Sequence, residues 1–341
     1  MYKKVKAQDA IGMVIAHDMT KIIPGKYKGA RFKRGHVITE EDIPELLSMG
    51  KKHVYIDDGG IEDAIHEDEA ANRLATAISG ENTVFANVNQ GRLNIRSTVN
   101  GLLKINRKLL TKINSMDNIV IATLHNNTPV NAGQPVAGTK IISLVIEEEG
   151  VEQVEELTQS EGKVVYVKPY IIKKVGVVVT GNEVYGGLIE DKFMDVIRSK
   201  LAPLGASICC SKIVPDCEEE ISSAIIEMKK AGAELIITCG GLAVDADDVT
   251  MEGMLKSGAT IIKHGIPIMP GAMALLAMLD EIPILGAPAG GLASKTGVDV
   301  LLPRLVAGEI VTREEAVDYG YGGLCLNCAE CLYPVCPFCH V

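Results

Sequence analysis

The run Val175-Gly-Val-Val-Val-Thr-Gly-Asn-Glu183 carries an apolar, β-branched stretch straight into a glycine turn, and Leu235-Ile-Ile-Thr-Cys-Gly-Gly241 repeats the same grammar. Residues 208–214, 260–263 and 283–285 also read as strands. Residues 191–204, 217–231 and 250–256, and a segment ending about Leu305, have amphipathic helical character. Strands that are apolar throughout are covered on both faces, and strand–helix alternation calls for parallel pairing with right-handed crossovers. Residues 173–311 are therefore expected to form an α/β domain, a doubly wound and mainly parallel sheet. Ligands of such sheets bind beyond the carboxyl ends of the strands, so the post-strand segments are where chemistry is sought.

Working outward, residues 1–60 read as a small α+β module. Short β runs (Gly12-Met-Val-Ile-Ala16, Lys52-His-Val-Tyr-Ile56) flank a turn-rich basic stretch from Lys21 to Arg34. A helix over 40–49 is predicted by Thr39 as N-cap, acids in its first turn and Gly50 past its end. Residues 61–172 read as a middle helical and β-rich region. Helices are predicted over 67–79 and 93–116, the second with Ile95, Val99, Leu102, Leu103, Leu109, Leu110 and Ile113 on one stripe that suits a core face or a dimer seam. Strands follow at 118–124, 140–146 and 163–167, with the acidic run Glu147 to Gly150 as a separator. Residues 312–341 form a Cys-rich tail.

Composition narrows the function classes. At 341 residues with 47% hydrophobic and 23% charged side chains, the chain can build several cores and is not of disordered composition. Its 44 acidic against 34 basic residues give a formal charge of −10, which repels nucleic-acid phosphates, and four Phe with no Trp leave few stacking platforms. A nucleic-acid partner is not expected. No apolar run of about 18 residues is present, so a membrane span is not expected either. The start, Met1-Tyr-Lys-Lys-Val-Lys6, lacks an apolar signal core, and nine cysteines then read as thiols or metal ligands of a cytoplasmic protein.

Three post-strand segments are glycine-rich: Thr180-Gly-Asn-Glu183 with Gly186-Gly187, Thr238-Cys-Gly-Gly241, and Leu285-Gly-Ala-Pro-Ala-Gly-Gly291. Glycine lets backbone N–H groups approach an anion, so the three together suggest a phosphate cradle. Neither a GxGxxG fingerprint nor a Walker loop is present. Asp245, Asp247 and Asp248 precede a helix with Thr250 as its expected N-cap; Asp248 is the candidate ligand for Mg2+ bridging to a phosphate.

Thr238-Cys-Gly-Gly-Leu-Ala-Val-Asp-Ala-Asp-Asp-Val-Thr250 resembles the signature of the molybdopterin-binding domain of molybdenum-cofactor biosynthesis proteins. Val179-Thr-Gly-Asn-Glu-Val184, Ile189-Glu-Asp191, Met269-Pro-Gly-Ala-Met273 and Leu285-Gly-Ala-Pro288 are similar, in the same order, to that family's other motifs. Gly35 to Gly50 and Lys52 to Ile56 are similar to a segment of the molybdotransferase. The resemblance implies a cofactor-binding set of Thr180, Gly181, Asn182, Glu183, Cys239, Gly240, Gly241, Asp248, Thr250, Pro270, Gly271, Gly286 and Pro288 around molybdopterin. Asp191 and Asp248 are then the candidate catalytic, Mg2+-holding carboxylates. The departures are chemical: Asn182 replaces a carboxylate, Ala272 a lysine, Ala287 an asparagine, and Leu242 and Ala243 replace Thr and Gly. Losing one preorganised donor or charge commonly costs about a hundredfold in rate, so binding for maturation, or delivery to a molybdoenzyme, is expected over catalysis. Lys263 and His264 are candidate replacements for the lost positive charge. The alternatives are an active adenylyltransferase or molybdotransferase, a metal- or redox-responsive interaction protein with a vestigial cleft, and a nucleotide amidase or pyrophosphatase of the competence-protein type. A homo-oligomer is left open.

The tail reads Cys325-x2-Cys328-x2-Cys331-x4-Cys336-Pro-x-Cys339-His340. Two-residue gaps let successive thiolates turn on one centre, and five thiols plus an imidazole exceed the four ligands of a zinc ion or a cubane. An iron–sulfur cluster is favoured slightly over zinc, because three thiols at successive two-residue gaps are less usual for zinc.

Overall fold

The computed structural model describes residues 3–56, 64–85, 88, 91–288 and 295–339. His340 and positions 289–291 of the third glycine segment lie outside the described residues.

In the first 56 residues, Lys3–Lys6 pairs antiparallel with His53–Ile56, and Thr39 and Asp42 close a capping box at the entry to helix Ile43–Ser48. The basic stretch is not turn-rich as expected. It forms most of a hairpin, Met19–Ile23 with Tyr27–Phe32, whose ends bury Met19 and Phe32 beside Ile38 and Leu46.

The middle region departs most from the expectation. No single helix spans 93–116: Arg92–Ser97 and Gly101–Ile105 are strands, and only Arg107–Asn114 is helical. Arg92-Leu-Asn-Ile-Arg-Ser97 alternates buried and open positions at period two, a pattern whose apolar residues also fall near helical spacing. Ile95, Leu102, Leu103, Leu109 and Ile113 are buried, so the stripe is core and supplies no dimer seam. The strand expected at 140–146 is two strands, Pro135–Ile141 and Val145–Glu147. The acidic run is not a separator but the entry to a helix, Glu148–Glu161, where negative side chains complement the helix dipole.

From Lys174 onward the doubly wound arrangement appears. The elements are β1 (Lys174–Thr180), α1 (Phe193–Leu201), β2 (Ser207–Val214), α2 (Glu218–Lys230), β3 (Leu235–Cys239) and α3 (Thr250–Lys256). They continue as β4 (Thr260–His264), β5 (Leu275–Leu279), β6 (Ile282–Ala287), α4 (Gly297–Val306) and α5 (Arg313–Asp318). The sheet order is β2-β1-β3-β6-β5-β4. The four strands β2, β1, β3 and β6 run parallel, and β5 and β4 are added antiparallel. The sheet is mostly parallel, as expected; β5 is not among the expected strands. Val175, Val177 and Val179 face one core while Val178 faces the other, so β1 is covered on both sides.

The tail shares the first of these cores. Phe338 and Cys339 are buried with Tyr319, Ala316 and Val311 against Ile266, Ile268 and α4. Backbone bonds Met269 N–H to Gly323 O (2.7 Å) and Cys325 N–H to Met269 O (2.8 Å) fasten it to the loop before β5.

Candidate functional site

The carboxyl ends of β1, β3 and β6 meet through two buried hydroxyls. Thr180 Oγ1 donates to Cys239 O (3.3 Å) and lies 3.2 Å from Thr250 Oγ1, which donates to Gly240 O (3.1 Å). Gly240 N–H donates to Ala287 O (3.2 Å), joining β3 to β6. A Cβ on Gly240 would stand 2.5 Å from Thr180 O, and one on Gly241 would overlap the Thr250 hydroxyl; both residues have positive φ. These glycines are thus required because the strand tips touch one another. Thr180, Gly181, Cys239, Gly240, Gly241 and Thr250 are brought together, but the Gly240 amide is committed within the protein.

Individual positions sharpen the picture. Thr250 is the first residue of α3 rather than its cap; Val249 precedes it, and the Thr250 hydroxyl points back to the tips. Cys239 is fully buried, which pushes its thiol well above the usual range and leaves only its carbonyl for the network. Gly286 is a packing glycine: a Cβ would meet Leu242 Cδ1 at 2.8 Å. Pro270 and Gly271 lie at the same sheet edge, since Leu275 at the start of β5 is opposite Gly286, and Gly271 packs on Thr296 and Gly297. Pro288 is half-buried just past β6. Lys263 turns its ammonium onto His264 O (2.7 Å), on the outer strand β4.

The rim is acidic. Asn182 and Glu183 open a one-turn helix, Asn182–Tyr185, where Asn182 N–H donates to Asp216 Oδ2 (2.9 Å) and Asp216 N–H to Asn182 Oδ1 (3.2 Å). Burial raises the Asp216 carboxyl above the usual aspartate value; the Asn182 N–H opposes this, and Glu183, Asp248 and Asp247 reinforce it. Asp216 escapes a reading of the sequence because its loop has no glycine, although it lies two residues past the end of β2. Asp191 accepts from Phe193 N–H (2.7 Å) at the start of α1, and Asp248 accepts from Asp245 N–H (3.0 Å). Both carboxylates therefore hold local turns. These acids are hard oxygen donors that suit Mg2+, although among the described residues no three metal-binding side chains stand grouped for a metal.

A second feature lies on the α1–α4 side of the sheet. A pocket of about 840 Å³ opens between the tail and these helices, with Leu204, Leu302 and Phe338 in its wall. Lys200, Lys295 and Asp299 line it, Lys200 Nζ standing 2.8 Å from Asp299 Oδ2 and Lys295 Nζ 3.3 Å from Asp299 Oδ1. Four tail thiols, Cys325, Cys328, Cys331 and Cys336, line it too. Cys339 does not; burial pushes its thiol up to about 12, with Cys325 and Cys336 adding to the effect.

Residues 176–307 match the family model described as "Probable molybdopterin binding domain". This segment is a molybdopterin-binding-family domain. Residues 4–58 match a second model, a domain of unknown function (DUF8806). Over 79 residues the chain is 37% identical to a CinA-like protein of Mycobacterium leprae, which covers 23% of this chain and 18% of that protein. A CinA-like protein of Mycobacterium tuberculosis H37Rv is 35% identical over 79 residues, with the same coverage. The chain thus spans less than a fifth of the length of these curated relatives. Among solved structures, the molybdopterin biosynthesis enzyme MoaB of Thermus thermophilus is similar at 19% identity and TM-score 0.35, covering 40% of this chain and 98% of its own. The molybdopterin biosynthesis MoeA protein of Pyrococcus horikosii is similar at 14% identity and TM-score 0.35, covering 94% of this chain and 76% of its own. Among the described residues, no helix is long and apolar enough to cross a membrane.

Proposed function

We propose that the molybdopterin-binding-family domain holds molybdopterin, or the assembled molybdenum cofactor, at the ends of β1, β3 and β6, and that the chain serves cofactor maturation or delivery to a molybdoenzyme. The observation that carries this reading is the closure of three strand tips on Thr180, Gly240 and Thr250 within a segment matched by that family's model. The loops after β1 and β3 then offer the ligand their remaining backbone groups. The acidic rim, Asp216 with Glu183, Asp247 and Asp248 acting on it, is not a preformed cation site among the described residues but offers oxygen donors to a Mg2+ ion that arrives with the ligand phosphate, in keeping with the preference of hard cations for oxygen.

Binding rather than turnover is favoured by what stands at the departing positions. Leu242 and Ala287 are buried in the two cores that flank the sheet, so these side chains pack the domain instead of presenting donors to a reacting group. Anaerobic titration with molybdopterin, followed by pterin fluorescence, tests the reading: saturable binding that tightens with Mg2+ is expected. Turnover with Mg-ATP or molybdate would replace the carrier with an adenylyltransferase or molybdotransferase, and absence of pterin binding would leave the cleft vestigial. Hydrolysis of nicotinamide mononucleotide would point to the chemistry of the competence-protein type.

A further inference from the structure

The tail thiols are not absorbed by the strand-tip site. All nine cysteines are free, and four of the five in the tail line one pocket. Among the described residues they are not yet grouped as a coordination shell. The segment 325–332, which carries three of the four thiols, contains neither helix nor strand, so no helix or strand hydrogen bonds oppose their gathering on one centre. Its ends are fixed by the Cys325 N–H bond to Met269 O and by the burial of Phe338.

Size and charge separate the candidate occupants. A zinc ion bound by four thiolates at about 2.3 Å draws its ligands into a closed shell and needs no cavity. Here the thiols border about 840 Å³, together with apolar side chains that would shield a bulkier group from water. A cluster ligated by four thiolates carries net negative charge. The pocket wall sets two lysines, Lys200 and Lys295, against one carboxylate, Asp299, a balance that suits an anionic occupant. Asn327 N–H points at Cys325 Sγ (3.4 Å), the kind of donor that stabilises a cluster-bound sulfur and tunes its potential.

We propose that Cys325, Cys328, Cys331 and Cys336 ligate one four-iron, four-sulfide cluster in the pocket between the tail and α4, and that Cys339 is a core residue outside the ligand set. On loading, each of the four thiols loses its proton to solvent as its sulfur bonds an iron. Two ferrous and two ferric ions with four sulfides make up the core without net oxidation or reduction. The site is independent of the pterin reading, since its residues lie on the α1–α4 side and its readout is the metal.

The test is anaerobic reconstitution of the full chain with equal ferrous and ferric iron plus sulfide. About four iron and four labile sulfide per chain are expected, with a broad visible band that bleaches on reduction. Cys328→Ser/Cys331→Ser alters two exposed thiols and should lose most of the iron while the metal-free chain melts at an unchanged temperature, whereas Cys339→Ala should keep the iron. The proposal is overturned by a chain that takes up only zinc or no metal. It is also overturned if the Cys328→Ser/Cys331→Ser variant retains the cluster, or if a folded Cys339→Ala variant loses it.

Discussion

The strand-tip cleft and the tail pocket are built on opposite principles. At the tips the backbone closes on itself: glycines at positive φ, two buried threonine hydroxyls and the Gly240 amide leave little room, and the surrounding rim is acidic. The pocket is roomy, apolar and thiol-lined, with a lysine-rich edge. The domain matched by the family model therefore contains a tight site where tolerance for substitution is small, while the larger cavity lies where a family motif gives no guidance. Residues at the tips should be costly to change through backbone geometry, and the exposed tail residues costly only in what they bind.

The largest effect tests that asymmetry. Gly240→Val forces a side chain against Thr180 O at φ 99°, and backbone strain plus overpacking should cost about 4 kcal/mol in chemical denaturation. Leu326→Ala in the exposed tail should cost less than about 0.5 kcal/mol. Equal losses would erase the contrast.

Next comes the buried ion network beneath the tail. Glu309 accepts from Arg304 Nε (2.8 Å) and pairs with Lys104 (2.7 Å) and Lys168 (3.2 Å), tying α4 to the middle region, while Arg304 also reaches Glu315 and Tyr319. Burial would raise the Glu309 carboxyl, but Lys104 and Arg304 outweigh it and hold it at about 2. Its folded value lies below the ordinary 4.5, so its stabilisation is present above pH 4.5 and disappears as pH falls through about 2. Glu309→Gln leaves buried cations uncompensated and should cost about 3 kcal/mol at neutral pH, with the difference from wild type vanishing in acid. Denaturation curves measured across that pH range decide the matter.

Smaller effects return to the tips. Thr180→Val deletes the hydroxyl between Cys239 O and Thr250 Oγ1 and should cost about 1 kcal/mol, with pterin binding weakened. Asp216→Asn keeps an acceptor for the Asn182 N–H and removes a charge raised above the usual 3.8. A raised carboxyl stabilises the fold below its unfolded value and loses that contribution as pH rises through the folded one. Removing the charge should therefore leave stability at neutral pH unchanged or raised by less than about 0.5 kcal/mol, while the Mg2+ dependence of pterin binding falls. A Mg2+ dependence equal to wild type would remove Asp216 from the site.

The α/β domain is largely legible because β1 and β3 are β-branched runs that only a two-face-buried strand satisfies. β5 is not, since Leu275-Leu-Ala-Met-Leu279 has the composition of a helix and is held as a strand by pairing with β6. The Arg92–Ile105 segment misleads because its apolar residues satisfy two periodicities, and tertiary pairing with Pro135–Ile141 and Val165–Pro169 chooses the strand. Glu148–Glu161 buries only Val151, Val154 and Thr158, too thin a stripe to show beneath its glutamates. At the site, glycine spacing points to the tips, whereas Asp216, Lys200 and Lys295 take their places only through the fold. The tail thiols can be counted in the sequence, but nothing there shows that Cys339 turns into the core.

The most direct test of the pterin assignment is equilibrium titration of anaerobically purified protein with molybdopterin, comparing wild type, Ala243→Trp in the β3–α3 loop and Cys328→Ser/Cys331→Ser in the tail. The account predicts about one pterin per chain for wild type and the tail variant, and little or none for the folded loop variant. Pterin binding that survives Ala243→Trp but vanishes with the tail thiols would contradict it, placing the ligand in the pocket instead of at the strand tips.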